Sequence, residues 1–142
     1  MTASVLTAAQ VQVGDALPTI ALPPVSRHTL ALYCGASGDH NPIHVDIDFA
    51  RNEAKVPDVF AHGMLSMAWL GRLLTQWVPQ SQLREYSVRF AAITQVGECI
   101  TCTGQVIEKF EREGQTCARL TLTTTNAEGQ VKLAGDAVVA LA

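Results

Sequence analysis

"HGMLSMAWLGRLLTQWVP" (residues 62–79) contains the most apolar segment of this chain, residues 64–78. A helix that is hydrophobic on nearly every side must be buried on most of them. The segment therefore predicts a central helix from about Gly63 to Val78, closed by Pro79, around which the rest of the chain must pack. Its apolar positions cover most of a helix circumference: Met64, Leu65, Met67, Ala68, Trp69, Leu70, Leu73, Leu74, Trp77 and Val78.

The chain that follows this helix alternates apolar and polar residues, which is typical of half-buried strands. Four such stretches follow one another: residues 84–93, 98–111, 116–125 and 130–141. In the last of them Val131 and Leu133 share the apolar face, with Lys132 and Asp136 opposite. Polar, glycine-containing loops join the later strands, as hairpins require. We expect an α+β fold, one domain over residues 1–142, in which an antiparallel sheet curls round the central helix.

The composition excludes several classes of function. Of the 142 residues 16% are charged, below the roughly 25% of an average soluble domain. This low fraction predicts surface lost to a partner subunit, to a large apolar pocket, or to both. A net charge of −3 without a basic run argues against nucleic-acid binding. The N-terminal residues lack a basic and apolar signal pattern, and residues 64–78 are too short to span a bilayer, so a cytoplasmic protein is predicted.

The four cysteines fit a reducing compartment, where they would be reduced and mostly buried thiols. Cys99 and Cys102 are spaced as in some zinc or redox sites. They lie in an alternating stretch, however, and residues three apart on a strand point to opposite faces. No second pair completes a tetrahedral site, so we predict neither a metal nor a cofactor.

The loop "SGDHNPIHVD" (residues 37–46) concentrates proton-handling groups ahead of the central helix. Short helices are predicted on both sides of it, the first capped by Ser26 and the second by Asp46 or Asp48. Asp, Asn, Gly and Pro are turn residues, so a purely structural turn is one interpretation. The other is a general acid–base pair, Asp39 and His44, in a loop that Pro42 stiffens.

These motifs together resemble the MaoC-type (hydratase 2) family of (R)-specific enoyl-thioester hydratases and dehydratases. The resemblance rests on D-x-N-P-x-H in the loop, on H-G at the start of the apolar helix, and on "VRFAAITQVGE" (residues 88–98). It implies a dimeric hot-dog fold, in which the sheet wraps the helix, and a hydro-lyase that interconverts trans-2-enoyl and (R)-3-hydroxyacyl thioesters. It also implies that Asp39 and His44 hold the water, and that the backbone N–H of Gly63 polarises the thioester oxygen.

Further residues receive secondary roles. Asn41 is predicted to orient the loop through its amide, His62 to shape the helix entry, and both to contact substrate together with Met64. His40 is expected to face solvent. Some members of the family carry a serine farther along the central helix, where this chain has Gly71, so the auxiliary contact of that serine is not expected here.

Two other functions stay open at this point. A hot-dog thioesterase also uses a carboxylate and a helix N-terminus, although it does not need the D-x-N-P-x-H pair. A non-catalytic acyl-binding subunit of a heterodimer is the second alternative. The predicted partners are an acyl thioester of coenzyme A or of acyl carrier protein, and a second copy of the chain or a related hot-dog subunit.

Overall fold

A computed structural model of the protein describes residues 3–142. Met1 and Thr2, the first two residues of the predicted domain, lie outside the described residues. Single 3₁₀ turns occupy Pro42–His44 and Gln80–Gln82. In chain order the other elements are β1 (Ile20–Ala21), α1 (Arg27–Ser37), α2 (Ile47–Asn52), α3 (Gly63–Trp77), β2 (Leu83–Phe90), β3 (Thr101–Arg112), β4 (Gln115–Thr125) and β5 (Val131–Ala140).

The five strands form one antiparallel sheet in the order β1-β3-β4-β5-β2. The β3–β4 hairpin turns on Glu113 and Gly114, both at positive φ (51° and 76°), a backbone that suits the twist of two paired strands. The sheet curls and packs β2, β3 and β4 against α3. The predicted hot-dog architecture is confirmed, while the dimer stays a prediction.

One face of α3 supplies the centre of the core. Leu65, Leu70, Leu73 and Leu74 are each at most 6% exposed and pack in the main hydrophobic cluster. Contrary to the prediction of burial on most sides, the opposite face of the helix is open, and Met64 is 55% exposed. The reason is geometrical, since the sheet of one chain covers only one side of the helix. Ala68 and Arg72 also lie on the open face.

The burial of Lys132 was predicted wrongly. Lys132 is 2% exposed, whereas its neighbour Val131, assigned to the core by alternation, is 39% exposed. The ammonium group can be buried because it has polar partners inside, above all Glu98 at 2.8 Å. Farther along β5, Val138 and Ala140 are buried with Cys117 in a second, smaller cluster. Strand β5 is therefore covered on both faces, which simple alternation does not describe.

The helix caps agree with the sequence. Ser26 accepts a hydrogen bond from Thr29 N at the start of α1, and Gly38 ends that helix in the left-handed region (φ 74°). Asp46 caps α2 by accepting from Asp48 N and Phe49 N. Because these caps fix both ends of the segment from Gly38 to Asp46, they also fix the position of the loop that carries Asp39 and His44.

Two smaller predictions are also addressed by the structure. Cys99 is exposed and Cys102 is buried, so they do face opposite ways, and all four cysteines are free thiols. Within residues 3–142, no helix has both the length and the apolar character needed to cross a membrane.

Candidate active site

The Asp39 loop is held by a chain of local hydrogen bonds. Ser37 Oγ accepts from Asp39 N (3.1 Å), and Asp39 Oδ1 accepts from Asn41 N (3.3 Å). Asn41 Oδ1 in turn accepts from Ile43 N (3.1 Å) and caps the 3₁₀ turn at Pro42–His44. This Asx turn orients the loop through the Asn41 amide and leaves the Asp39 carboxylate exposed at the surface.

His44 is oriented by a main-chain carbonyl. Its Nδ1 lies 2.7 Å from Phe60 O, and its ring meets the Phe60 ring edge to face at 5.2 Å. A carbonyl can only accept, so this partner assigns the proton to Nδ1 and leaves Nε2 as the proton acceptor. A carboxylate oxygen of Asp39 and a ring nitrogen of His44 lie within 4.8 Å of each other. Two hydrogen bonds of about 2.8 Å through one shared water span a gap of that size.

His62 lies directly behind this pair. Its ring is 1% exposed and stacks on His44 with centroids 3.9 Å apart and planes 26° from parallel. Its Nε2 is 3.3 Å from the main-chain oxygen of Asp39, while its Nδ1 is buried without a partner among residues 3–142. Burial, followed by the proximity of His44, holds the pKa of His62 below its ordinary value of 6.5. The ring is therefore neutral at physiological pH, with almost no surface to offer a substrate.

Asp39, His44 and His62 are close enough, by distance alone, to hold a metal ion. A metal lies in the plane of each imidazole it binds, at about 2.0–2.1 Å from the nitrogen. The nearly parallel rings of His44 and His62 direct their lone pairs side by side and not toward one point. The arrangement suits proton transfer better than metal binding, and the predicted absence of a metal stays a prediction.

Gly63 starts α3 directly after His62. His62 makes no side-chain cap, and the N–H of Gly63 finds no acceptor among residues 3–142, so the positive end of the helix dipole is open. The missing side chain also has a neighbour, because a Cβ at Gly63 would lie 2.9 Å from Cε1 of Phe90. A glycine is thus required for the Phe90 ring to approach the helix start, in addition to the approach of a ligand predicted from the sequence.

A cavity of about 310 Å³ opens beside this helix start. Gly63, Phe60, Phe90 and Leu133 line it, together with the segment 91–94 and the side chains of Ser66 and Thr94. Asp39 and His44 are not in its lining, and His44 is connected to it through the carbonyl of Phe60. Asn41 and Met64 are also outside its lining, Asn41 at the exposed loop and Met64 on the open face of α3. Of the predicted residues, the structure brings together Asp39, His44, His62 and Gly63.

Two contributions to the site were missed by sequence reasoning. Phe60 acts on His44 through its carbonyl, and a main-chain contact leaves no mark on residue type. Lys132 supports the cavity wall, because its Nζ donates to Ile93 O and its own carbonyl accepts from Ala91 N and Ala92 N. The available signal was a lysine in a largely apolar strand.

Together, an antiparallel sheet curled round one helix and an Asp–His pair near the start of that helix define a hot-dog protein with a candidate site at that position. The family model described as "MaoC like domain" matches residues 8–128, and the chain belongs to that family. The family predicted from the motifs is thereby confirmed.

Individual relatives agree with this assignment. The chain is 29% identical over 117 residues to an (R)-specific enoyl-CoA hydratase of Rhodospirillum rubrum, covering 81% of this chain and 78% of that protein. It is 28% identical over 141 residues to fatty acid synthase subunit beta of Saccharomyces cerevisiae, covering 92% of this chain but only 6% of that much longer protein. A solved (R)-hydratase from A. caviae, involved in PHA biosynthesis, superposes with a TM-score of 0.81 at 28% identity, covering 95% of this chain and 100% of that one. The predicted hydro-lyase class agrees with these names.

Proposed function

We propose that the protein catalyses the reversible addition of water to trans-2-enoyl thioesters, giving (R)-3-hydroxyacyl thioesters. The observation that carries this proposal is the Asp39 carboxylate within 4.8 Å of a ring nitrogen of His44, beside the open N-terminus of α3. The (R) configuration is taken from the names of the hydratase relatives.

The proposed mechanism uses three groups of this chain. Asp39 and His44 hold one water, remove a proton from it as its oxygen bonds to the β-carbon, and return a proton to the α-carbon. Meanwhile negative charge grows on the thioester oxygen. The free N–H of Gly63 stabilises that charge, a contribution typically worth about 3 kcal/mol. In the reverse direction the same groups remove the α-proton and protonate the departing hydroxyl.

The cavity is proposed to take the acyl chain. Phe60, Phe90 and Leu133 provide apolar walls, and a volume of about 310 Å³ lies at the lower end of small-molecule sites, which favours short acyl chains. Asn41 and Met64 are proposed to contact the carrier, coenzyme A or acyl carrier protein, since both side chains are exposed outside the cavity. Of the residues predicted to contact substrate, His62 offers the least surface, because its ring is buried.

A homodimer is proposed as the working form, with a heterodimer as the alternative. In residues 3–142 the outer edge of β2 pairs with no strand, and unpaired edges are usually covered. Phe90 at the end of this strand is 53% exposed and Ile93 is 48% exposed, which gives a second subunit an apolar surface. A cytoplasmic location remains part of the proposal.

The test is a set of hydration assays with crotonyl-CoA and longer trans-2-enoyl-CoA substrates. We expect loss of the enoyl absorbance, an (R)-3-hydroxyacyl product by chiral analysis, and no release of free thiol. The variant Asp39→Asn, purified in parallel, controls for contaminating hydratase. Thiol release from a saturated acyl-CoA would instead identify a thioesterase. Binding of acyl-CoA with no turnover in either assay would identify an acyl-binding subunit.

A further inference from the structure

Three parts of the proposed site meet at one side chain that takes no part in the chemistry. His62 stacks on the ring of His44 (3.9 Å between centroids) and contacts the main-chain oxygen of Asp39 through Nε2 (3.3 Å). It is bonded to Gly63, and on its far side it meets the ring edge of Tyr33 at 4.9 Å. The base, its carboxylate partner and the N–H donor are therefore each one contact away from the same ring.

We propose that His62 is the positioning residue of the site, and that it holds the Asp39 loop and the His44 ring at the spacing of one water. This inference rests on the proposed hydratase function, because the water is part of that reaction. His62 acts through its neighbours: its ring plane sets the tilt of His44, and its Nε2–H ties the Asp39 main chain to the start of α3.

The role requires a neutral ring with its proton on Nε2, and the surroundings favour that form. The Asp39 carbonyl can only accept, which assigns the proton to Nε2 and leaves Nδ1 bare. The titratable groups that face His62 are His44 on one ring face, Tyr33 at an edge, and Asp39. Burial is the main cause that lowers the pKa of His62, and His44 adds to it. Charging Nδ1 would create a buried cation against His44.

Two variants separate the two contacts. His62→Gln keeps a donor that can reach the Asp39 carbonyl but removes the ring. His62→Phe keeps a ring that can stack on His44 but removes the donor. If both contacts position Asp39 and His44, each variant should lower kcat by about 10-fold or more, because small misplacements of reacting groups slow the chemical step. KM should change by less than about 3-fold, because the buried ring of His62 has almost no surface to offer the substrate. His28→Gln, an exposed histidine on α1, is the matched control and should behave as wild type.

Wild-type kcat in both folded variants would overturn the inference, as would a loss confined to KM. Nitrogen NMR of the wild-type histidines provides a measurement that does not depend on the variants. We expect His62 to show a protonated Nε2 and a bare Nδ1 at neutral pH, and to take up a second proton only below the ordinary histidine range. A His62 that becomes charged at or above the ordinary histidine pKa of 6.5, or that carries its proton on Nδ1, would contradict the proposal.

The outcomes distinguish this inference from the proposed function. If the wild-type protein hydrates no enoyl-CoA, the proposed function fails and the inference built on it fails too, whatever the NMR shows of the ring. If the wild type hydrates crotonyl-CoA and both variants match it, only the role of His62 is lost.

Discussion

Two polar clusters each contact the lining of the cavity, one through Ile93 and the other through Phe60 and Gly63, and they differ in how completely their hydrogen bonds are satisfied. Around Lys132, the ammonium donates to Ile93 O, Gln130 Oε1 and Glu98 Oε1, each at 2.8 Å. Asn126 adds a further donor to Glu98 at 2.8 Å. In this cluster, which we call the Lys132 cluster, every donor of the ammonium has an acceptor.

The second cluster consists of Asp39, His44, His62 and Gly63 and leaves several positions open. His44 Nε2 and the N–H of Gly63 have no protein partner within residues 3–142, and His62 Nδ1 is buried and unpaired. A fully paired buried group stabilises one structure, whereas an open donor or acceptor is available to a substrate or a water. The comparison predicts that substitutions in the first cluster change stability, and that substitutions in the second change turnover.

The largest effect is expected from Asp39→Asn and His44→Ala. Each should lower the chemical step by on the order of 10²-fold or more, the usual scale for a positioned acid or base. The double variant should fall little below the worse single, because residues that act on one water are not additive. The measurement is hydration rate per folded molecule, with melting temperature alongside. Normal turnover in either folded single variant would return the loop to a structural role.

The second-largest effect is expected from Gly63→Val, which should lower turnover by on the order of 10²-fold. The new side chain must displace the ring of Phe90 and crowd the open N–H. Gly35→Val on the exposed side of α1, where an added Cβ meets nothing, is the control for the general effect of valine in a helix. Combining Gly63→Val with Phe90→Ala tests the cause: recovery of turnover would show that the displaced ring, and not the blocked N–H, was responsible.

Lys132→Met should lower stability and leave turnover nearly unchanged, the opposite of the three substitutions above. Removing one partner of a fully buried ion pair costs about 3–5 kcal/mol, and here we expect about 2 kcal/mol because Glu98 is 18% exposed. That is a fall of about 6 °C in Tm. Turnover per folded molecule should change by less than about 3-fold, and Lys132→Met with Glu98→Met should recover much of the stability, since no charge is left unpaired. A large loss of kcat at unchanged Tm in Lys132→Met would show that the Lys132 cluster serves turnover and not stability.

The smallest effect concerns pH. The pKa of His62 is lowered in the folded protein mainly by burial, so the unfolded chain takes up this proton first as the pH falls. The contribution of His62 to stability is complete above about pH 6.5 and decreases below it. Glu98 behaves differently: burial opposes its ionisation, but hydrogen bonds from Lys132 and Asn126 outweigh burial and lower its pKa, so its contribution is lost only below about pH 4.5.

Melting curves between about pH 7 and about pH 5 check this assignment. The decline of Tm with acidity should be shallower in His62→Phe than in wild type, and His28→Gln, at an exposed position, serves as the control substitution. An identical decline in wild type and His62→Phe would mean that His62 does not resist protonation in the folded state.

The sequence allowed prediction of the features that depend on local chemistry. The caps Ser26 and Asp46, the glycine that ends α1 and the apolar segment of α3 each act over a few residues, and each was found by pattern. The Asp39–His44 pair was found because a short motif holds both residues. Side-chain contacts between distant segments were not predictable, because no periodicity encodes them. The partner of Lys132 is Glu98 in another segment, so alternation predicted an exposed lysine where the structure buries it.

Phe60 has two separate roles, one played by its main chain and the other by its side chain. The carbonyl of Phe60 fixes the tautomer of His44, and no substitution at position 60 removes a main-chain carbonyl. Phe60 also lines the cavity, where the size of its side chain would set the space for the proposed acyl chain. Mutations at this position would therefore change which substrates fit the cavity, while the hydrogen bond from His44 Nδ1 to the carbonyl is kept. Substitutions at position 60 would thus let the cavity change during evolution while the contact that orients His44 is kept.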